Sequence, residues 1–119
     1  MSVTLNNNFP KYERLCGQLR IADLYKRGKR LVAWPLRVTY LPSEDTQVLV
    51  WAAKALFKHA VERNRLRRQM REAWRLNKNK LNKHYLIAFN YMDKTMLGYD
   101  AIEKAVAKTI NKLNEEANS

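Results

Sequence analysis

The chain has 119 residues, with 23 Lys+Arg against 11 Asp+Glu, a formal net charge of +12 and a sequence pI near 10.1. That length and an apolar content of 46% fit one compact domain with a real core rather than a disordered chain. No run approaches the ~20 apolar residues of a membrane span, no secretory signal is expected at the start, and the single Cys16 excludes an internal disulfide or a multi-cysteine metal site. The composition predicts a small cytoplasmic domain with a polyanionic partner, nucleic acid first and an anionic membrane surface second.

Residues 1–10 (MSVTLNNNFP) are polar and are expected to form a loose tail ahead of a single domain over 11–119. In Gln18–Arg27, Leu19, Ile21, Leu24 and Tyr25 are spaced for a short amphipathic helix that Gly28 stops. Leu31–Leu41 reads as β, with Pro35 marking an edge, a bulge or a bend and room for a separate short strand near Leu31–Ala33. Pro42–Asp45 is a turn. Gln47–Ala53 is apolar almost throughout and is expected to pack on both faces. A helix is predicted over Val61–Asn77, a buried strand over Tyr85–Tyr91, and a helix over Tyr99–Ala117 from the spacing of Ile102, Val106, Ile110 and Leu113. Gly98 is its candidate N-cap, and Asp100 and Glu103 suit its positive end.

Charge is uneven along this order. Residues 11–37 carry a balance of +6 and residues 54–84 one of +9, while the two remaining stretches are slightly acidic. A surface serving solubility alone would mix the signs more evenly. The densest part is AVERNRLRRQMREAWRLNK. Setting Arg63 at zero and advancing about 100° per residue gathers Leu66, Met70, Ala73 and Trp74 into one arc of about 100°, the expected core face. Arg67, Arg68, Arg71 and Arg75 fall in an arc of similar width on the other side, together with Asn64, whose amide both donates and accepts. Like charges at i,i+4 cost about 0.2–0.5 kcal/mol per pair, and guanidinium suits bidentate phosphate contact and base stacking. The apolar residues of this helix are committed to a core, which leaves little for a membrane surface. A second basic segment, Arg20–Arg30, has Tyr25 among its cations, a pattern suited to stacking the bases of single-stranded nucleic acid; a core tyrosine with a surface hydroxyl is the alternative.

Ala60–Arg68 followed by Arg71-Glu72-Ala73 closely resembles the "RNR" motif of the bacterial ribonuclease P protein component, with Arg63, Asn64 and Arg65 as the triplet. Arg14-Leu15, the basic helix ending at Gly28, the strand before the motif and the closing strand and helix extend the resemblance over residues 12–113. The resemblance implies an α+β fold: an αβββαβα two-layer sandwich like the ribosomal protein S5 domain 2-like fold, with a left-handed βαβ crossover where general rules favour a right-handed one. It also implies an accessory subunit of ribonuclease P, in which the RNA subunit cleaves the 5′ leader from precursor tRNA with bound Mg2+. On that basis Lys58, His59, Arg63, Asn64, Arg65, Arg67, Arg68 and Arg71 are expected to contact the catalytic RNA. Ile21, Tyr25, Arg27, Tyr40 and Lys54 are expected at a leader-binding cleft between the sheet and the first helix. Family members commonly have an aromatic residue where this chain has Ile21, and Ser, Lys or Arg within the stretch that here reads Ala52-Ala53-Lys54-Ala55-Leu56.

An intrinsic active site is not expected. His59 and His84 are the only histidines, the carboxylates form no metal-ligand pattern, Cys16 has no histidine at motif spacing, and three glycines make no phosphate loop. The expected partners are the ribonuclease P RNA and precursor tRNA, with no membrane; the protein alone is expected to be a monomer holding no tight cofactor or metal. A general structural-RNA-binding protein of ribosomal type, a DNA-binding domain with the basic helix in the major groove, and an independent nuclease remain the alternatives.

Overall fold

The computed structural model describes residues 18–118, so the expectations for residues 1–10, Arg14, Leu15 and Cys16 lie outside the described residues. Helix α1 (Gln18–Arg27) leads into strands β1 (Lys29–Ala33), β2 (Leu36–Pro42) and β3 (Gln47–Ala52). Helix α2 (Ala60–Asn77), a single 3-10 turn at Lys78–Lys80, β4 (Tyr85–Tyr91) and α3 (Tyr99–Asn118) complete the chain.

The four strands form one sheet in the order β1-β2-β4-β3. β1 and β2 are an antiparallel hairpin, β2 and β4 are antiparallel, and β3 runs parallel to β4 with α2 as the crossover. The expected β stretch Leu31–Leu41 is therefore two strands, with Pro35 at the bend. Proline fixes φ and offers no N–H to a ladder, so the chain reverses at Trp34–Pro35. Met92 N–H donates to the Pro35 carbonyl at 2.8 Å and ties this turn to the end of β4.

β4 is interior to the sheet and covered on both faces, which accounts for its near-continuous apolar run YLIAFNY. One face meets α2 and α3. Leu36, Val38, Tyr40, Val48, Val50, Ile87 and Phe89 of the sheet pack there on Leu66, Met70 and Trp74 of α2 and Ile102, Val106, Ile110 and Leu113 of α3. Trp74 and Phe89 meet with ring centroids 6.1 Å apart. Each large side chain buried here contributes roughly 1.5–3 kcal/mol by leaving water, which makes this layer the main source of stability.

The opposite face is only partly covered. Leu24 of α1 packs on Leu86 and Ala88, flanked by Ile21, Tyr25, Leu41 and Leu49. The close seat of α1 requires Gly28. A Cβ at that position would clash with the Leu24 carbonyl oxygen and come within 3.0 Å of both the Tyr40 carbonyl oxygen and the Thr39 methyl. Because β3 lies at the sheet's edge, the expectation that it packs on both faces is corrected: Val48, Val50 and Ala52 are buried, whereas Leu49 is half-buried and Trp51 is 50% exposed. At the start of α3, Gly98 has φ +96°, a conformation that side chains with a Cβ avoid.

Candidate RNA-binding surfaces

Helix α2 buries the stripe its period predicts: Leu66, Met70, Ala73 and Trp74, joined by Asn77, whose amide donates to the Ala73 carbonyl at 2.8 Å. Asn64, Arg65, Arg68 and Arg71 are exposed, and so are Lys58 and His59 in the connector just before the helix. Arg67 is half-buried and donates to the Asn64 amide oxygen, so these two side chains present one donor-rich unit.

The arginines are not equivalent. Arg63 Nη1 donates to the carbonyls of Phe57 and Lys58 at 2.7 and 2.9 Å. Its guanidinium thereby fastens the connector to the first turn of α2, where His59 supplies no side-chain cap. Arg63 thus positions Lys58 and His59, whatever else it touches. Arg75, part of the basic arc by helix phase, is held by Glu72 at 3.0 and 2.5 Å. The guanidinium hydrogen bond holds the Glu72 carboxyl below the ordinary carboxylate range. A basic face is thereby trimmed to Asn64, Arg65, Arg67, Arg68 and Arg71.

Across the sheet, Ile21 and Tyr25 of α1, Leu49 and Trp51 of β3 and Asn90 of β4 line a cleft of about 410 Å³. The Asn90 amide donates to the Tyr25 hydroxyl at 3.3 Å, which fixes the phenol over the sheet, and Arg30 donates to the Tyr25 carbonyl at 3.4 Å. Strand register places Val32, Arg37, Asn90 and Trp51 side by side across all four strands, on this same face. Val32, Arg37 and Trp51 of that row are exposed.

Of the residues expected at the cleft, Ile21 and Tyr25 line it. Lys54 is exposed in the turn just after β3, close in sequence to Trp51. Arg27 is exposed but engaged by Asp23, with its Nε and Nη2 at 2.7 and 2.8 Å from the carboxylate oxygens. Tyr40 is a correction: it belongs to the other face. It is buried in the main core, edge-on to Tyr85 with centroids 6.0 Å apart, and its hydroxyl donates to Glu116 at 2.6 Å. Alternation along a strand sends neighbouring side chains to opposite faces, so Thr39 and Leu41, not Tyr40, point toward α1. Burial, then the Glu116 hydrogen bond, pushes the Tyr40 phenol well above its ordinary range.

Sequence reasoning missed Trp51, Asn90 and Arg37. The usable signal was period 2 in QVLVWA, which sets Leu49 and Trp51 on the face opposite Val48 and Val50. Trp51 supplies an aromatic ring to a cleft in which Ile21 offers none.

Among the described residues, no group of three or more His, Cys, Asp or Glu side chains comes together to hold a metal ion, and no helix is long and apolar enough to cross a membrane. His84 is engaged by Thr46, with Nδ1 3.1 Å from the hydroxyl. An arginine-faced crossover helix on one side of a sheet and an aromatic cleft on the other define a small basic α+β domain of the RNA-binding class.

The sequence model of the family Ribonuclease P matches residues 9–114. The ribonuclease P protein component of Porphyromonas gingivalis is 38% identical over 112 residues, spanning 84% of this chain and 82% of that protein. Two solved structures share the fold. The RNase P protein of Staphylococcus aureus superposes with a TM-score of 0.72 at 18% identity, over 87% of this chain and 95% of that one. That of Thermotoga maritima gives 0.73 at 20% identity, over 84% and 96%. The chain belongs to the bacterial ribonuclease P protein component family. Its place is that of accessory subunit in the ribonuclease P ribonucleoprotein, the endoribonuclease of tRNA 5′ maturation, and its partner is the ribonuclease P RNA.

Proposed function

We propose that the domain over residues 11–119 holds two RNA segments at once. The α2 face made of Asn64, Arg65, Arg67, Arg68 and Arg71, with Lys58 and His59 beside it, takes the ribonuclease P RNA. The cleft lined by Ile21, Tyr25, Leu49, Trp51 and Asn90 takes the single-stranded 5′ leader of precursor tRNA, with Lys54 near its mouth. Arg63 organises the connector between the two.

The observation that carries this reading is the connection between the surfaces. Trp51 lies near the end of β3, and a connector of seven residues, 53–59, leads from that strand to the start of α2. Catalytic RNA and leader are thereby brought to the same end of the sheet. Physically, the protein contributes positive charge that reduces repulsion between two RNAs and extends substrate contact beyond the tRNA body. Mg2+ belongs to the RNA active site in this reading, the protein works as a cytoplasmic monomer, and no side chain of this chain performs the cleavage. Reconstitution with a bacterial ribonuclease P RNA at low magnesium tests it. Leader removal should improve on adding the protein, with affinity falling steeply as salt rises. No improvement would overturn the reading.

A further inference from the structure

Two of the three tryptophans stay largely in water: Trp34 is 60% and Trp51 50% exposed, whereas Trp74 is buried. Trp51 belongs to the cleft. Trp34 does not, and its surroundings are more elaborate than a turn requires. Its indole N–H donates to Asp93 Oδ2 at 3.2 Å. The other carboxylate oxygen of Asp93 accepts from the Thr95 backbone N–H and from the Thr95 hydroxyl, both at 2.8 Å. The turn itself is tied to β4 through Pro35 and Met92. The one polar atom of the ring is thus satisfied within the protein and one edge is held, while most of the ring's surface remains open to solvent. A large aromatic side chain held in this way loses little conformational freedom when something flat stacks on it.

Its position gives that ring a partner. Trp34 follows Val32 by two residues, just beyond the end of β1, and Val32 begins the row Val32–Arg37–Asn90–Trp51. Three interstrand steps of about 4.8 Å make that row roughly 14 Å wide, with Trp51 at one end and Val32 at the other. Trp34 lies in the β1–β2 turn, displaced from the row along the strands toward Asp93, two residues past the end of β4. Arg37, next to Asn90 in the row and three residues after Trp34, is exposed and forms no ion pair among the described residues. The Trp51 ring, the Asn90 amide and the Arg37 guanidinium along the row, with the Trp34 ring at the adjoining turn, suit an unpaired polynucleotide, whose bases stack while its phosphates take the cation.

We infer that Trp34 is a second stacking station for the leader. A leader that leaves the cleft at Trp51 crosses the sheet past Asn90, gives a phosphate to Arg37, and stacks a further base on Trp34. At the ~3.4 Å spacing of stacked nucleotides the row accommodates about four of them. This rests on the reading that the cleft holds the leader, and it adds a contact to nucleotides farther from the cleavage site.

The test uses the reconstituted holoenzyme and two precursor tRNAs, one whose leader is long enough to cross the sheet and one cut back to the nucleotides nearest the cleavage site. Trp34→Ala should weaken binding of the long-leader substrate about tenfold and leave the short-leader substrate unchanged. Trp34→Leu, which keeps apolar bulk without a π face, should behave the same way, and Trp34→Phe should retain most of the affinity. Trp51→Ala should weaken both substrates. If Trp51→Ala weakens binding and Trp34→Ala does not, the second station is overturned and the cleft reading stands. If neither variant affects any leader, both are overturned. Equal losses on both substrates with Trp34→Ala would place the ring on the RNA subunit or on a protein partner, and would also overturn the station.

Discussion

The Tyr25 hydroxyl and the Asn90 amide meet at 3.3 Å although 65 residues separate them in sequence. This contact joins α1 to the interior strand of the sheet at the floor of the cleft, so the ring offered to a base is oriented by the sheet itself. A hydrogen bond of this kind contributes about 0.5–1.5 kcal/mol net, and its larger effect is on geometry.

Tyr25→Phe should keep the ring and lose the anchor. We expect a loss of a few-fold in preference for precursor over mature tRNA, within the range of one net hydrogen bond. Tyr25→Ala should lose more, by about 1–3 kcal/mol of stacking. Binding assays with the two tRNAs measure this directly, and a Tyr25→Ala variant that weakens mature tRNA equally would remove Tyr25 from the leader site.

Arg65→Ala and Arg68→Ala should each weaken RNA-subunit binding and reduce the slope of log affinity against log salt by about one, the signature of a lost phosphate contact. Thermal unfolding of the free protein should hardly change, because both side chains are exposed. A salt titration of holoenzyme assembly separates these contacts from nonspecific loss of charge.

Arg63→Ala is predicted to differ in kind. It leaves the Phe57 and Lys58 carbonyls without their guanidinium donor. Stability should fall by about 1–3 kcal/mol, and RNA affinity should fall with it as the connector loosens. An unfolding curve that matches the parent would show that the anchor does not matter.

Gly28→Ala should destabilise the protein by about 1–3 kcal/mol, because the Leu24 and Tyr40 carbonyls are backbone atoms that cannot step aside. Denaturant titration reads the loss. Leader discrimination should fall more than RNA-subunit binding, since α1 lines only the cleft.

Tyr40 gives a pH prediction. Its phenol, ordinarily near 10, is pushed up in the folded state by burial and by Glu116. The unfolded chain therefore releases the proton first, so this stabilisation is fully present below pH 10 and is lost as pH rises from there toward the folded value. Tyr40→Phe should flatten that alkaline decline. An identical decline in the variant would mean that other groups cause it.

Much of this architecture is visible in local pattern. The core stripe of α2 follows from helical period, and the bounds of α1 and β4 follow from Gly28 and from an uninterrupted apolar run. The RNR triplet and the concentration of charge pointed to the family. Less visible were the different tasks of arginines that look alike by helix phase. Arg63 bonds two carbonyls of the connector, which lie off the helix and outside a wheel projection. Arg75 is held by Glu72 three residues earlier on the same helix, an ion pair that counting cations alone passes over.

The sequence by itself determined the elements, the charge and the RNA-binding class, because helical and strand periods and side-chain charge are local properties. Tertiary structure decided which faces are covered. Placing β4 inside the sheet and β3 at its edge left Trp51 in the cleft, while a one-residue alternation sent Tyr40 into the core. Strand order and register depend on pairings between distant segments, so the aromatic chemistry of the cleft emerged only once Val32, Arg37, Asn90 and Trp51 were brought into one row.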